Sequence, residues 1–283
     1  LIIVLSVMNG FQKEVRDRML SVIAHVEIGQ AFGGALRDWE GLAAQARQHP
    51  QVQGAAPFIA TQALITRGDD MRGAMVRGIS PQEEATVTDL ARELRDTTLA
   101  GLQPGAWGIV LGGELARALG VRTGDSVTIV APGGQMTPAG LVPRLKQLTL
   151  IGTFDSGHYE YDSTLALMHV DDAARLFRVE GPTGVQLRLK DLHQARQVAA
   201  DLQVALGPDF VVGDWTRTNR TWFAAVQLEK RLMFIILTLI VAVAAFNLVS
   251  TLVMTVTDKR ADIAILRTLG ASPRSIMGIF MVQ

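Results

Sequence analysis

The sequence predicts an α+β domain, a split α/β sheet subdomain carrying an inserted β-rich subdomain, flanked by transmembrane α-helices. Three observations predict it. From Leu232 to Val256, "LMFIILTLIVAVAAFNLVSTLVMTV", no residue is charged, and this run of about 25 residues exceeds the ~20 that cross a bilayer as a helix. A buried helix of that length in a water-soluble core would carry a polar stripe. Between residues 26 and 215, strand-like stretches punctuated by Gly and Pro alternate with short amphipathic helices. Both ends are apolar pieces, "LIIVLSVM" and "SIMGIFMVQ". Leu1 is not an initiator Met, and no basic n-region or small-residue cleavage site follows. The expectation is a fragment bounded by two incomplete spans.

Residues 1–25 read as the end of a first span continuing into a stalk, with Phe11, Val15, Met19, Val22 and Ile23 at helical spacing. Residues 26–81 form the first part of the α/β subdomain. There "HVEIGQ" is a strand and "RDWEGLAAQARQHP" a helix stopped by Pro50. A strand pair, "VQGAAPFIATQALITRG" and "MRGAMVRGIS", turns at Gly68-Asp69-Asp70. Residues 82–179 are the inserted β-rich subdomain. In it "GIVLGGELARALGVRTGDSVTIV" reads strand, helix, turn, strand, with Gly120 ending the helix. "LKQLTLIGTF", "STLALMHV" and the small helix "DDAARLF" follow. Residues 180–215 complete the α/β subdomain with "GVQLRLK", helix "DLHQARQVAADLQVAL" and "DFVVGDW". Residues 216–257 are a second stalk and the span. Residues 258–272 form a short amphipathic helix ending at Gly270, and residues 273–283 start a third span behind Ser272-Pro273, an N-cap and first-turn Pro.

One stretch fits no element. "APGGQMTPAGLVP", Ala131 to Pro143, holds three prolines and three glycines between two good strands. Hairpins normally close in two to five residues, so this reads as an overlong, Pro-stiffened tip with Met136, Ala139 and Leu141 near its end.

Chemistry is scarce. Lys plus Arg and Asp plus Glu are 27 each, a balance that argues against a nucleic-acid footprint. The absence of Cys excludes disulfides, thiol catalysis and Cys-ligated metals. No G-x-x-x-x-G-K-[ST] is present, and "LGGELARALG" lacks the G-x-G-x-x-G spacing, so it reads as a strand-to-helix turn. No Ser sits in a G-x-S-x-G elbow. In "HYEYD", His158, Glu160 and Asp162 would share one strand face near a metal, although a solvated hairpin edge after "DSG" is the favoured reading. Asn247, Ser250 and Thr251 share a face of the span, where helix packing is favoured over a substrate lining. Basic residues flank the span on both sides, so charge does not set its orientation.

The segment "LEKRLMFIILTLIVAVAAFNLVSTLVMTVTDKRADIAILRTLGASPRSIMGIFMVQ" closely resembles the second span and following cytoplasmic segment of lipoprotein-releasing ABC transporter permeases, the LolC/LolE family. "VLSVMNGFQKEV" is similar to that family's first-span exit, and "GIVLGGELARALGVRTGDSVTIV" to its periplasmic domain, shared in outline with MacB-type permeases. The resemblance implies a periplasmic domain over residues 26–215, a cytoplasmic segment over 258–272, and a place in a bacterial inner membrane. It implies a non-catalytic subunit with no cofactor of its own. ATP and Mg would sit on a separate LolD-type ATPase, beside a second permease copy or paralogue. Lipoproteins would leave the membrane for a LolA-type periplasmic carrier. Pro132, Gly133, Gly134, Gln135, Met136, Thr137, Pro138, Ala139, Gly140, Leu141 and Pro143 occupy the place of the hairpin, or hook, with which LolC-type permeases grip that carrier. The remainder looks more like LolE, as where one permease type does both jobs. Ile263, Ile265, Leu266 and Leu269, with Asp262 and Arg267 at the rim and Gly270 closing the helix, would seat in the ATPase. Met8, Phe11, Leu228, Met233 and Ile236 are candidates for a lipid cavity. The alternatives are an FtsX/MacB-type permease that transmits force to another periplasmic partner, and a membrane-anchored enzyme.

Overall fold

The computed structural model describes residues 6, 10, 22–137, 140–218 and 220–282, and no side chains within 135–142, 218–224 or 280–282. The first stalk expected up to Ile23 thus lies outside the described residues except at its end. The chain divides into two compact units, Ile2–Arg220 and, from Thr221, the rest.

In the first unit, strand β1 (Val26–Gln30) leads to helix α1 (Trp39–Arg47). The Asp38 carboxylate caps α1 by accepting from the Gly41 amide at 2.9 Å. The helix buries Leu42, Ala43 and Ala46. Strands β2 (Val52–Arg67) and β3 (Asp70–Ile79) form an antiparallel hairpin in register from Phe58↔Ile79 to Arg67↔Asp70. Its turn needs the left-handed backbone that Gly68 supplies at φ +57°. Helices α2 (Pro81–Val87) and α3 (Leu90–Glu93), strand β4 (Leu94–Arg95) and a 3₁₀ turn (Leu99–Gly101) lead to strand β5 (Gly108–Gly112) and helix α4 (Gly113–Ala118). Next come β6 (Ser126–Thr137), β7 (Gly140–Phe154), α5 (Tyr159–Thr164), β8 (Leu165–His169) and α6 (Val170–Phe177). The unit ends with β9 (Gly184–Leu189), α7 (Ala195–Leu206), β10 (Phe210–Asp214) and α8 (Trp215–Thr218).

Among the described residues the strands form one continuous sheet, ordered β10-β1-β9-β2-β3-β8-β5-β7-β4, with β6 pairing both β2 and β7. Strands β2, β6, β7, β5, β8 and β3 therefore close on themselves as a barrel. Alternate residues point inside, and Ile65, Val76, Ile109, Leu111, Ile129, Leu148 and Met168 join one core with Leu115 and Leu119 near α4. A second cluster on the outer side of β5 and β8 gathers Val110, Leu165 and Leu167 with Phe154 and Leu90. Strands β1, β9 and β10 continue the sheet, with α7 burying Val198, Ala199 and Leu202. The hairpin β2–β3, which the sequence reading assigns wholly to the α/β part, is shared. Its first half pairs with β9 and its second half helps close the barrel. At 16 residues β2 is long enough to serve both parts of the sheet, with one register irregularity near its start, between Val52 and Gly54.

The sequence reading also places "HYEYD" on a strand, and the structure corrects this. Tyr159–Thr164 is helix α5. The buried Asp162 carboxylate accepts from the Ser156 amide at 2.9 Å, the Ser156 hydroxyl at 2.7 Å and the Gly157 amide at 3.1 Å. Those bonds, with Gly157 at φ +70°, turn the chain into the helix and occupy the carboxylate. Among the described residues no group of His, Asp and Glu is placed to hold a metal.

The second unit contains helix α9 (Arg220–Asp258), α10 (Arg260–Thr268) and α11 (Pro273–Val282). Among the described residues one helical stretch, Ala225–Asp258, is long and apolar enough to cross a membrane. Its hydroxyls bond back to carbonyls one turn earlier, as at Thr238 to Phe234 (2.8 Å) and Thr251 to Asn247 (2.9 Å). That satisfies them where no water competes.

Candidate functional site

The β6–β7 ribbon is the feature that the fold sets apart. Its ladder runs unbroken from Ser126↔Thr149 to Ala131↔Arg144, shifts register, then resumes from Gly134↔Pro143 through Gln135↔Val142 and Met136↔Leu141 to Thr137↔Gly140. Pro132 and Gly133 fall in the shift, with Gly133 at φ +76°. This is a β-bulge, and it absorbs the two residues that most disfavour a strand. The expectation that this Pro-stiffened stretch fits no element is therefore corrected: β6 continues to Thr137 and β7 begins at Gly140. Pro138 and Ala139 lie outside the described residues, as do the side chains of Gln135 to Val142. Strand β2 pairs with β6 only over Thr128 to Val130. Beyond Ala131 the ribbon is paired only with itself among the described residues, a free arm bent at its root.

The root is pinned. Lys146 Nζ lies 3.9 Å from the centre of the Trp107 ring, a cation–π contact. Trp107 itself is held at φ +54°, unusual for a bulky residue. The fully buried Asp172 carboxylate holds it there, accepting from the Gly105 amide at 2.8 Å and the Trp107 amide at 3.2 Å. Arg175 of the same helix lies 3.7 Å from Asp172. Sequence reasoning missed Trp107, Lys146 and Asp172. The local signal was Trp107 two residues beyond Gly105 at a strand start, and "DD" opening α6.

A second polar cluster joins the barrel to the rest of the sheet. The buried Arg77 of β3 donates through Nη2 to Glu27 of β1 and Gln186 of β9, both at 2.7 Å. Its guanidinium carbon lies 4.3 Å from the Phe58 ring centre. Gln186 also donates to Glu84, which accepts from the Thr88 hydroxyl at 2.8 Å. Burial pushes the Glu84 carboxyl above the ordinary carboxylate range, although Arg77 and these hydrogen bonds oppose it. Burial likewise opposes the Arg77 charge, but Glu27 and Glu84 together hold its pKa above the ordinary value. Burial, then Arg188, pushes the His25 imidazole below its ordinary value.

In the second unit, Asp262, Ile263, Ile265, Leu266 and Arg267 lie on α10, with Leu269 and Gly270 directly after it. Ile265, Leu266 and Leu269 are exposed. Asp262 pairs with Lys259 at 3.2 Å. Gly270 at φ +94° closes the helix, its amide bonding Arg267 O at 3.1 Å and that of Ala271 bonding Leu266 O at 3.0 Å. Ser272 then caps α11 by accepting from the Ser275 amide. Leu228, Met233 and Ile236 lie along α9, whereas Met8 and Phe11 are outside the described residues.

Comparison with known proteins agrees with this architecture. A MacB-like periplasmic core domain matches residues 1–205, and an FtsX-like permease C-terminal region matches residues 234–283. The lipoprotein-releasing system transmembrane protein LolC of Neisseria meningitidis serogroup B is 49% identical over all of this chain and 68% of its own length. In Haemophilus influenzae, the LolE protein is 31% identical over 99% of this chain and 68% of its own length. The LolC protein of the same species is 28% identical over the whole chain and 70% of its own length.

Proposed function

The chain belongs to the LolC/LolE family of lipoprotein-releasing system transmembrane proteins, and from that premise we propose how its parts divide the work. The protein is a permease of a lipoprotein-releasing ABC transport system. It sits in the bacterial inner membrane as a multi-pass subunit beside a second permease copy or paralogue. A LolD-type ATPase, which binds ATP and Mg, seats on the exposed face of α10 through Ile265, Leu266 and Leu269. Nucleotide-driven movement there is transmitted to the periplasmic domain, and the lipoprotein passes to a LolA-type carrier gripped by the β6–β7 arm.

The observation that supports this reading most is the arm. Among the described residues the ribbon has no third strand beyond Ala131, which leaves its backbone edges open to a partner, and its bulge and prolines limit the entropy lost on capture. Charge substitution tests it. Met136→Glu should abolish carrier pull-down by the full complex while ATPase binding persists, and retained pull-down would sink the assignment. The chain is about as similar to the LolE protein of Haemophilus influenzae, at 31% identity, as to that species' LolC, at 28%, which supports a permease combining the two roles.

A further inference from the structure

Two hollows on the outer face of the β2–β3 hairpin share a wall. The first is a cavity of about 280 Å³ lined by Ile23, Phe58, Arg77, Tyr161, Asp214 and Trp215, among others. Ile23 and Trp215 lie where the chain enters and leaves the folded domain. The second is a groove of about 680 Å³ lined by Leu64, Gly73, Val130, Ala131 and Pro132, among others. It ends at the bulge from which the arm departs. Met75 and Thr164 line both, so the two hollows adjoin at these residues.

The register explains the trough. On this face Ala60 lies opposite Arg77, Gln62 opposite Met75, Leu64 opposite Gly73 and Thr66 opposite Met71. Gly73 sits in mid-strand, where a side chain would normally pack against its neighbours. A Cβ built there meets no atom within 4 Å, so neither space nor backbone demands glycine. A strand glycine marks a bulge, a sharp bend or the close approach of a ligand or backbone, and the unbroken register through Gly73 excludes the bulge. The glycine is flanked by Met71 and Met75, unbranched side chains that adapt to irregular apolar shapes. Met71 and Leu64 are 51% and 40% exposed, a dry-preferring stripe left open to solvent.

We propose that the two adjoining hollows serve as one track, which guides an acyl chain of the lipoprotein from the chain-entry end of the domain to the root of the arm, where the carrier receives it. The inference rests on the function proposed above. Moving an acyl chain through water exposes each methylene at about 0.8 kcal/mol, so a half-buried path lowers the barrier to handover. An open groove with flexible walls holds the chain without trapping it. At the first hollow the Glu27 carboxylate, 38% exposed, can accept from the peptide amides that follow the chain.

The test uses the complete transporter in membranes with ATP, the carrier, and a lipoprotein bearing a diazirine at the end of a palmitoyl chain. Irradiation during release should label peptides containing residues 62–64 and 73–75. Gly73→Trp, whose Cβ meets no atom within 4 Å and whose ring would occupy the groove, should cut release to the carrier about tenfold, equivalent to about 1.4 kcal/mol. Carrier pull-down and ATP hydrolysis should stay unchanged, and Val204→Trp, on the exposed face of α7 away from both hollows, should release normally. Normal release by Gly73→Trp, or no label in residues 62–75, overturns the track alone. Equal labelling by a diazirine phospholipid overturns its assignment to the lipoprotein. A wild-type complex that releases no lipoprotein overturns the underlying function instead.

Discussion

On β3 the inward face carries Ala74, Val76 and Gly78, all buried, while the outward face carries Met71, Gly73 and Met75, all reached by solvent. Each face has a glycine, and the reasons differ. A Cβ at Gly78 would lie 2.5 Å from Ala173 Cβ and 3.2 Å from Val170 Cα, so α6 packs directly on the bare backbone. A Cβ at Gly73 would meet nothing within 4 Å. One glycine lets a helix approach and the other leaves a trough open. The same residue type in one strand thus marks structure on one side and a passage on the other. Arg77 continues the outward series but is only 8% exposed, because Glu27, Gln186 and the Phe58 ring cover it where the barrel meets the rest of the sheet.

Arg77 is where the contrast between faces breaks down, and its loss should have the largest effect. Arg77→Leu keeps the stem volume but leaves Glu84 buried without its cation and removes the Glu27 pair. Breaking a buried pair from one side typically costs about 3–5 kcal/mol, and because the Glu27 carboxylate is 38% exposed the loss should lie near the low end, about 3 kcal/mol. The urea midpoint of the full chain in detergent should fall accordingly, and an unchanged midpoint would show that the cluster contributes nothing to joining the two parts of the sheet.

The two glycines sharpen the comparison directly. Gly78→Leu should destabilise by about 1–3 kcal/mol, the range for forcing side-chain atoms into a filled core. Gly73→Leu should change stability by less than about 0.5 kcal/mol, as surface substitutions do. Parallel denaturation of the two variants reads the difference. If both lose stability equally, the outer face is packed rather than open, and the trough loses its basis.

Much of this was legible in the sequence where signals are local. Gly68-Asp69 marked the hairpin, the uncharged run marked the span, and Gly270 with Ser272-Pro273 marked the corner between α10 and α11. The arm stands out in the sequence as a Pro-stiffened stretch, but its residues read as fitting no strand. Pro132 and Gly133 count against a strand in any local tally, and only pairing across to Arg144 and Pro143 reveals that a bulge absorbs them. The α5 segment misled for a similar reason, since Asp162 reaches back to Ser156 and alternation alone cannot show a carboxylate that nucleates a helix. Arg77, Glu27 and Gln186 come from three separated strands. No pattern within a window could join them.

The smallest expected effect concerns Glu84, at the junction between the two parts of the sheet. Its folded-state pKa is raised, first by burial, above the ordinary 4.5. The folded state therefore binds this proton more tightly than the unfolded state. The contribution to stability is full below about pH 4.5 and is lost as pH rises through the raised pKa. Glu84→Gln cannot ionise, and Thr88 can turn its hydroxyl to accept from the new amide, so the variant keeps the neutral arrangement at every pH. His25 acts in the opposite sense, because its pKa is lowered by burial and then by Arg188. Its contribution is present above its ordinary 6.5 and is lost as pH falls through the lowered value. The wild-type profile mixes both slopes, but subtracting it from that of Glu84→Gln cancels the His25 part. Thermal midpoints of the full chain from pH 4 to 8 should show the variant gaining on wild type as pH rises. A flat difference across that range would mean that Glu84 carries the same charge folded and unfolded, and that the barrel meets the rest of the sheet across a wetter boundary than Arg77 and Gln186 suggest.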